Sequence, residues 1–164
     1  MRYEGNTAVE SMGTGWLIAP DVLVTADYCI FNRSSNLGRA VSIRVYLGYN
    51  GKASINTPNA IYRYAARVAT TVRWLTAKGT KAGDFAVLKL NKPFDLRVPP
   101  INFKATPIKG TGVLGVVGYP SDKSLGGENG AQMYEIFLPT RYDRSKSENH
   151  MSNYLVSTYG GKFT

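Results

Sequence analysis

Short apolar runs broken by turn residues set the rhythm of this chain. In "GTGWLIAPDVLVTA" two apolar runs, 16–19 and 22–26, flank Pro20-Asp21. Proline fixes φ, and the aspartate side chain can bond its own backbone, so the segment predicts a strand, a tight turn and a returning strand. "VSIRVYLGYNG" alternates and stops at Asn50-Gly51, a strong turn signal, which predicts a further strand. "YRYAARVATTVRWL" has a spacing that an amphipathic helix could share, but its β-branched and aromatic content favours a strand with a bend. "DFAVLKL" predicts a strand with an acidic residue at its entrance.

The second half repeats the theme. "KPFDLRVPPINF" is rich in proline, and Pro99-Pro100 cannot donate ladder bonds, so the connection between two halves is placed there. "GVLGVVGYP", "QMYEIFLPT" and "NYLVSTYGG" predict further strands, with "SDKSLGGENGAQ" as a Gly-rich loop between them. Many short strands separated by turn signals predict an all-β sandwich or barrel.

Composition agrees and narrows the chemistry. The chain has 164 residues, 43% hydrophobic, enough for one sizeable core or two small barrels. No stretch approaches the roughly 20 apolar residues of a membrane span, and the opening "MRYEGNTAVES" lacks the apolar core of a secretory signal. The formal net charge of +9 would permit nucleic acid, anionic membrane or acidic protein as partners. The basic residues are scattered, however, from Arg39 and Arg44 through Arg63, Arg67 and Arg73 to Arg141 and Lys146. No basic helix, interleaved aromatic ladder or known nucleic-acid motif is visible in the sequence. A basic solvated surface is therefore expected, with no membrane partner and with nucleic acid disfavoured. Cys29 is the single cysteine and His150 the single histidine. One cysteine cannot form an internal disulfide, and the two residues cannot build a zinc site, so no metal or other cofactor is expected. Cys29 reads as a small buried apolar residue, because the neighbouring Asp27 disfavours a thiolate.

Three segments, in order, resemble the trypsin-like serine proteases. "GTGWLIAPDVLVTADYC" resembles the strand-turn-strand that ends in Thr-Ala-Gly-His-Cys in that family. "GDFAVLKLNKPF" resembles the strand that begins with the family's catalytic aspartate. "LGVVGYPSDK" and then "STYGG" resemble the approach to its nucleophile, Gly-Gly-Asn-Ser-Gly or a close variant. The wording and spacing are nearest to the glutamyl-endopeptidase-like branch, its fungal members included. The resemblance runs along nearly the whole chain and implies two six-stranded barrels with the active site in the cleft between them.

Carried over residue by residue, the resemblance puts the aspartate at Asp84, within an intact Gly83–Val87 frame. It puts Tyr28 at the histidine position and Asp27 at the small glycine before it. Gly160, Gly161 and Lys162 match the nucleophile's loop, with Phe163 where the serine belongs and Thr164 in place of the next glycine. Thr158 matches a threonine that shapes the specificity pocket of glutamyl endopeptidases. The sequence stops there, where the family continues into the closing strands of its second barrel. The expected fold is thus all-β and two-barrelled, with an N-terminal barrel over 1–95 and an incomplete C-terminal barrel over 96–164.

The triad needs a serine oxygen as nucleophile, an imidazole to take its proton, and an aspartate to hold the imidazole. Phe163 offers no nucleophilic atom, and the unperturbed Tyr28 phenol, with a pKa near 10, is mostly protonated at pH 7. Losing serine or histidine alone costs on the order of 10⁶ in rate. The expectation is a proteolytically inactive pseudoprotease serving as a protein- or peptide-binding scaffold around Tyr28, Asp84, Asp27, Thr158, Gly161 and Lys162. The alternative is a repurposed enzyme in which Tyr28 and Asp84 move a proton on a small molecule or ester. Against catalysis stands a purely structural role, a tyrosine whose hydroxyl bonds Asp84. An incomplete barrel has open edges, so a second copy or another protein is expected to supply strands, with Phe163 suited to an apolar hollow. The family is mostly secreted, but the missing signal and disulfide lean the expectation towards the inside of the cell.

Overall fold

The computed structural model describes residues 1–8, 10–76, 83–96, 99–102 and 110–142. The strands are β1 (Arg2–Tyr3), β2 (Gly15–Ala19), β3 (Val22–Thr25), β4 (Phe31–Asn32), β5 (Gly38–Ser42), β6 (Arg44–Leu47), β7 (Ile61–Thr70), β8 (Ala86–Leu90), β9 (Gly110–Gly118), β10 (Ser124–Leu125), β11 (Glu128–Asn129) and β12 (Tyr134–Tyr142). One short helix, α1 (Val72–Thr76), and two 3-10 turns, Asp27–Cys29 and Lys52–Asn56, complete the described elements.

The first half is built on a five-stranded antiparallel sheet in the order β2-β3-β8-β7-β6, beside a three-stranded sheet, β1-β5-β4. The β2–β3 hairpin turns at Pro20-Asp21, as its sequence predicts, and β3 then pairs β8 from Val22↔Lys89 to Thr25↔Ala86. The chain after β8 is tied back to this hairpin: the N–H groups of Phe94 and Ile101 bond the carbonyls of Pro20 and Leu17 at 2.8 and 2.9 Å. Phe94 is buried there, with the Arg63 guanidinium 5.1 Å from its ring centre. Leu23, Ile30, Ile43, Ala86 and Leu88 form the core with Cys29. In the second half, β9 and β12 pair along nine residues each as a two-stranded ribbon.

Three segments differ from their sequence reading. "VSIRVYLGYNG" is two strands, β5 and β6, that break at Ile43 and join different sheets. Ile43 turns its side chain into the core, and its carbonyl accepts the N–H of Ala65. "YRYAARVATTVRWL" is a strand with the expected bend, a register slip between Ala65 and Arg67, but it ends at Thr70 and gives way to α1. Thr71 causes the change: its Oγ1 accepts the N–H of Trp74 at 3.1 Å, an N-cap bond that competes with continued extension. "SDKSLGGENGAQ" is a small hairpin, β10–β11, closed by Gly126-Gly127 at φ 59° and 80°. Two consecutive positive φ values suit a two-residue turn whose twist matches its strands. The strand expected at "NYLVSTYGG" lies outside the described residues.

Cross-strand pairing also builds an aromatic row that the linear sequence hides. Register places Tyr46 opposite Tyr62 and Arg44 opposite Tyr64, and Tyr49 and Tyr119 extend the row. Its rings are tilted or edge-on, 5.3–6.4 Å apart, so they pack on one another.

Candidate functional site

The turn Asp27–Cys29 follows β3, and Asp84 precedes β8. Because β3 and β8 are paired at Thr25↔Ala86, the turn and Asp84 meet at one end of the sheet. Asp84 Oδ1 accepts the main-chain N–H of Tyr28 at 2.9 Å. Asp27 Oδ2 in turn accepts the main-chain N–H of Phe85 at 3.3 Å, an N–H it shares with the Gly83 carbonyl at 2.8 Å. Each aspartate thus holds the residue that follows the other, and the two segments are locked reciprocally.

Asp27 is fully buried, which a carboxylate tolerates only with partners. The Thr70 hydroxyl donates to its Oδ1, and the Thr71 N–H reaches its Oδ2 at 3.3 Å. The Thr71 hydroxyl lies 3.5 Å from Oδ2 but has a single proton, which is better placed on the Gly83 carbonyl at 2.7 Å. Burial still dominates and pushes the Asp27 carboxyl up, against the opposing effect of these hydrogen bonds. Gly83 is required for this packing. Its φ is 81°, and an added Cβ would stand 2.8 Å from Thr71 Oγ1.

The back of the turn is fixed as firmly. Tyr3, buried on β1, donates its hydroxyl to the Cys29 carbonyl at 2.8 Å, and Trp74 Nε1 donates to the Phe31 carbonyl at 3.2 Å. Cys29 is buried and its thiol is pushed up, chiefly by desolvation, which makes it a core residue as its sequence context predicts. The half-buried Tyr28 phenol is also pushed up, first by burial, then by the adjacent Cys29 thiol, with Asp84 a smaller cause. It is a proton holder at neutral pH. Phe85, beside Asp84, is nearly half exposed and offers an apolar surface next to the two polar residues.

The structure therefore brings together Tyr28, Asp84 and Asp27 from the residues expected on sequence grounds. The described bond between Tyr28 and Asp84 runs from the main chain of the tyrosine. Thr158, Gly161, Lys162 and Phe163 lie outside the described residues, as does His150. Thr70, Thr71, Trp74 and Tyr3 were missed. Thr71 before "VRWL" carried a capping signal, whereas nothing local marks Thr70 or Tyr3 as partners of a turn 43 or 26 residues away. Among the described residues, no group of three or more His, Cys, Asp and Glu side chains is placed to hold a metal ion.

The trypsin family model matches residues 1–160. The glutamyl endopeptidase of Bacillus licheniformis is 28% identical over 159 residues, which cover 91% of this chain and 42% of that protein. A solved structure described as Glu endopeptidase in complex with MPD aligns with a TM-score of 0.60 at 22% identity, over 84% of this chain and 62% of that one. This second likeness speaks to the fold alone. The chain spans less than half the length of the curated relative it matches.

Proposed function

The chain belongs to the trypsin-like serine protease family, and from that premise we propose that it is a proteolytically inactive member that binds a protein or peptide at the frame around Tyr28 and Asp84. One observation carries this reading. The residue whose main chain is bonded to Asp84 Oδ1 is a tyrosine, and its phenol is held in the protonated form by burial. An acid–base step on a serine needs a group that accepts a proton near pH 7, and a phenol shifted upward is further from that than a free one. The sequence match of Phe163 to the nucleophile position supports the same conclusion. The hydrogen bonds that hold the frame remain, which suits positioning of a bound chain, and Phe85 supplies apolar contact beside it.

A partner protein is part of the reading. The β9–β12 ribbon exposes Val113 and Phe137 on one face, and Met133 just before β12, each more than half accessible. Large apolar side chains exposed on one face of a strand pair suit a surface that another chain covers.

The test has two arms. Incubation with a mixed peptide library, read by mass spectrometry, is expected to give no cleavage above buffer, and a fluorophosphonate probe is expected not to label the protein. Cleavage abolished by Asp84→Asn would overturn the inactive assignment. Peptides retained on the immobilised protein are expected to be lost with Phe85→Ala, and retention that ignores this change would remove the binding assignment.

A second reading, acid–base chemistry on a small ester, is favoured by the Asp84 carboxylate bonding the main chain of Tyr28, both residues being half-buried. A phenol that stays protonated is suited to donate a hydrogen bond to a carbonyl. It requires ester turnover that falls with Tyr28→Phe.

A further inference from the structure

We propose that the molecule carries a second site, an open-sided cavity against the first-half sheets that takes an uncharged, largely apolar small molecule. The cavity measures about 780 Å³. The space opens to solvent on one side, where exposed residues such as Met12 and Lys52 form its rim. It also falls within the roughly 300–1,000 Å³ of pockets that enclose drug-sized molecules.

Its floor is the core itself: Leu23 of β3, Leu88 of β8, and Ile30 and Ile43 between the sheets. Val45 of β6 and Ile55 of the 52–56 turn add apolar side walls. The segment Met12–Gly15 and the second-half residues Tyr119 and Glu128–Gly130 close it from the other side. Neither Tyr28 nor Asp84 lines it, so the site is separate from the frame above.

The polar groups in the wall decide the chemistry of the occupant. The Thr25 hydroxyl donates to the Thr14 carbonyl at 2.7 Å, and Thr14 Oγ1 accepts the N–H of Tyr119 at 2.9 Å. The Glu128 carboxylate accepts the Tyr49 hydroxyl and, at 2.8 Å, the N–H of Lys52. Glu10 is paired with Arg44 at 2.6 Å and with Arg2 at 2.7 Å. The acids lining the space, Glu10 and Glu128, are thus each bonded, and the Met1 ammonium at its edge donates to the Ser11 carbonyl at 2.6 Å. A charged guest would lose its water against a floor of aliphatic side chains, and that loss is costly. An apolar, uncharged guest gains burial and disturbs none of these bonds.

The intact chain is titrated with N-phenyl-1-naphthylamine, a neutral dye that fluoresces in apolar surroundings. Saturable binding at a single site is expected, with displacement by dodecanol about tenfold stronger than by dodecanoate or dodecylammonium. Val45→Trp, which fills the cavity, is expected to weaken binding at least about tenfold, with the circular dichroism spectrum unchanged. If that variant fails to fold, Ser11→Trp on the facing wall serves the same purpose. Phe137→Ser on the exposed ribbon is expected to leave binding unaltered. Non-saturable binding, equal displacement by the three competitors, insensitivity to both tryptophan variants, or loss through Phe137→Ser would each overturn the proposal.

Discussion

The 27–29 turn and the β9–β12 ribbon are both short pieces of β-protein, yet they are held in different ways. The turn has almost no regular pairing of its own. It is fixed from four distant places: by the side chains of Tyr3 on β1, Thr70 at the end of β7 and Asp84 before β8, and by the main-chain N–H of Thr71 at the cap of α1. The ribbon is the reverse. Its nine-residue strands are registered throughout by main-chain pairing, while Val113 and Phe137 face outward. Main-chain pairing fixes a strand's direction and register without specifying its surroundings. Convergent side-chain bonds fix one residue in one place. The region that resembles a catalytic frame has the second kind of support.

The contrast can be broken most directly at Asp27. Asp27→Ala would leave the Thr70 hydroxyl and the Thr71 N–H without their acceptor in a buried place, and a loss of about 3 kcal/mol is expected in urea unfolding. A loss no larger than that of a ribbon variant would show that the lattice is not what holds the turn. Thr71→Val keeps the shape but removes both the cap of α1 and the bond to Gly83, and about 1–2 kcal/mol is expected by the same measurement.

The pH dependence sharpens the comparison. The folded Asp27 carboxyl is raised, so the folded state binds its proton more readily than the unfolded chain does. Its contribution to stability is therefore greatest at low pH and declines as pH rises from the ordinary value of 3.8 through the raised folded value. Asp27→Asn does not titrate, so wild type minus variant stability should shrink over that window on going up in pH. A difference that grows instead would reverse the assignment. The smallest effect belongs to the ribbon: Phe137→Ser is expected to change stability by no more than about 0.5 kcal/mol, as for other exposed positions. A large loss there would mean that the ribbon is packed against something in solution.

The legibility of the sequence follows the same division. The β2–β3 hairpin, the strand after Asp84 and both ribbon strands were readable, because alternation and turn residues act over a few positions. The turn at 126–127 was read as a loop, since glycine-rich stretches mark turns without saying whether short strands flank them. The break at Ile43 was not readable, because alternation continues across it while the sheets change. The positions of Tyr28 and Asp84 came from motif order. Their reciprocal bonding, and the Thr70 and Thr71 side chains that complete it, did not.

The sequence by itself determined the β class, the family frame and the absence of an imidazole at position 28, because each is written in contiguous residues. Tertiary structure alone decided that Asp27 is a buried tether, that five tyrosines form a row, and that an open-sided cavity reaches the core. The physical reason is distance along the chain. Burial, hydrogen-bond partners and enclosed space arise between segments dozens of residues apart, and no local pattern records which segments will meet.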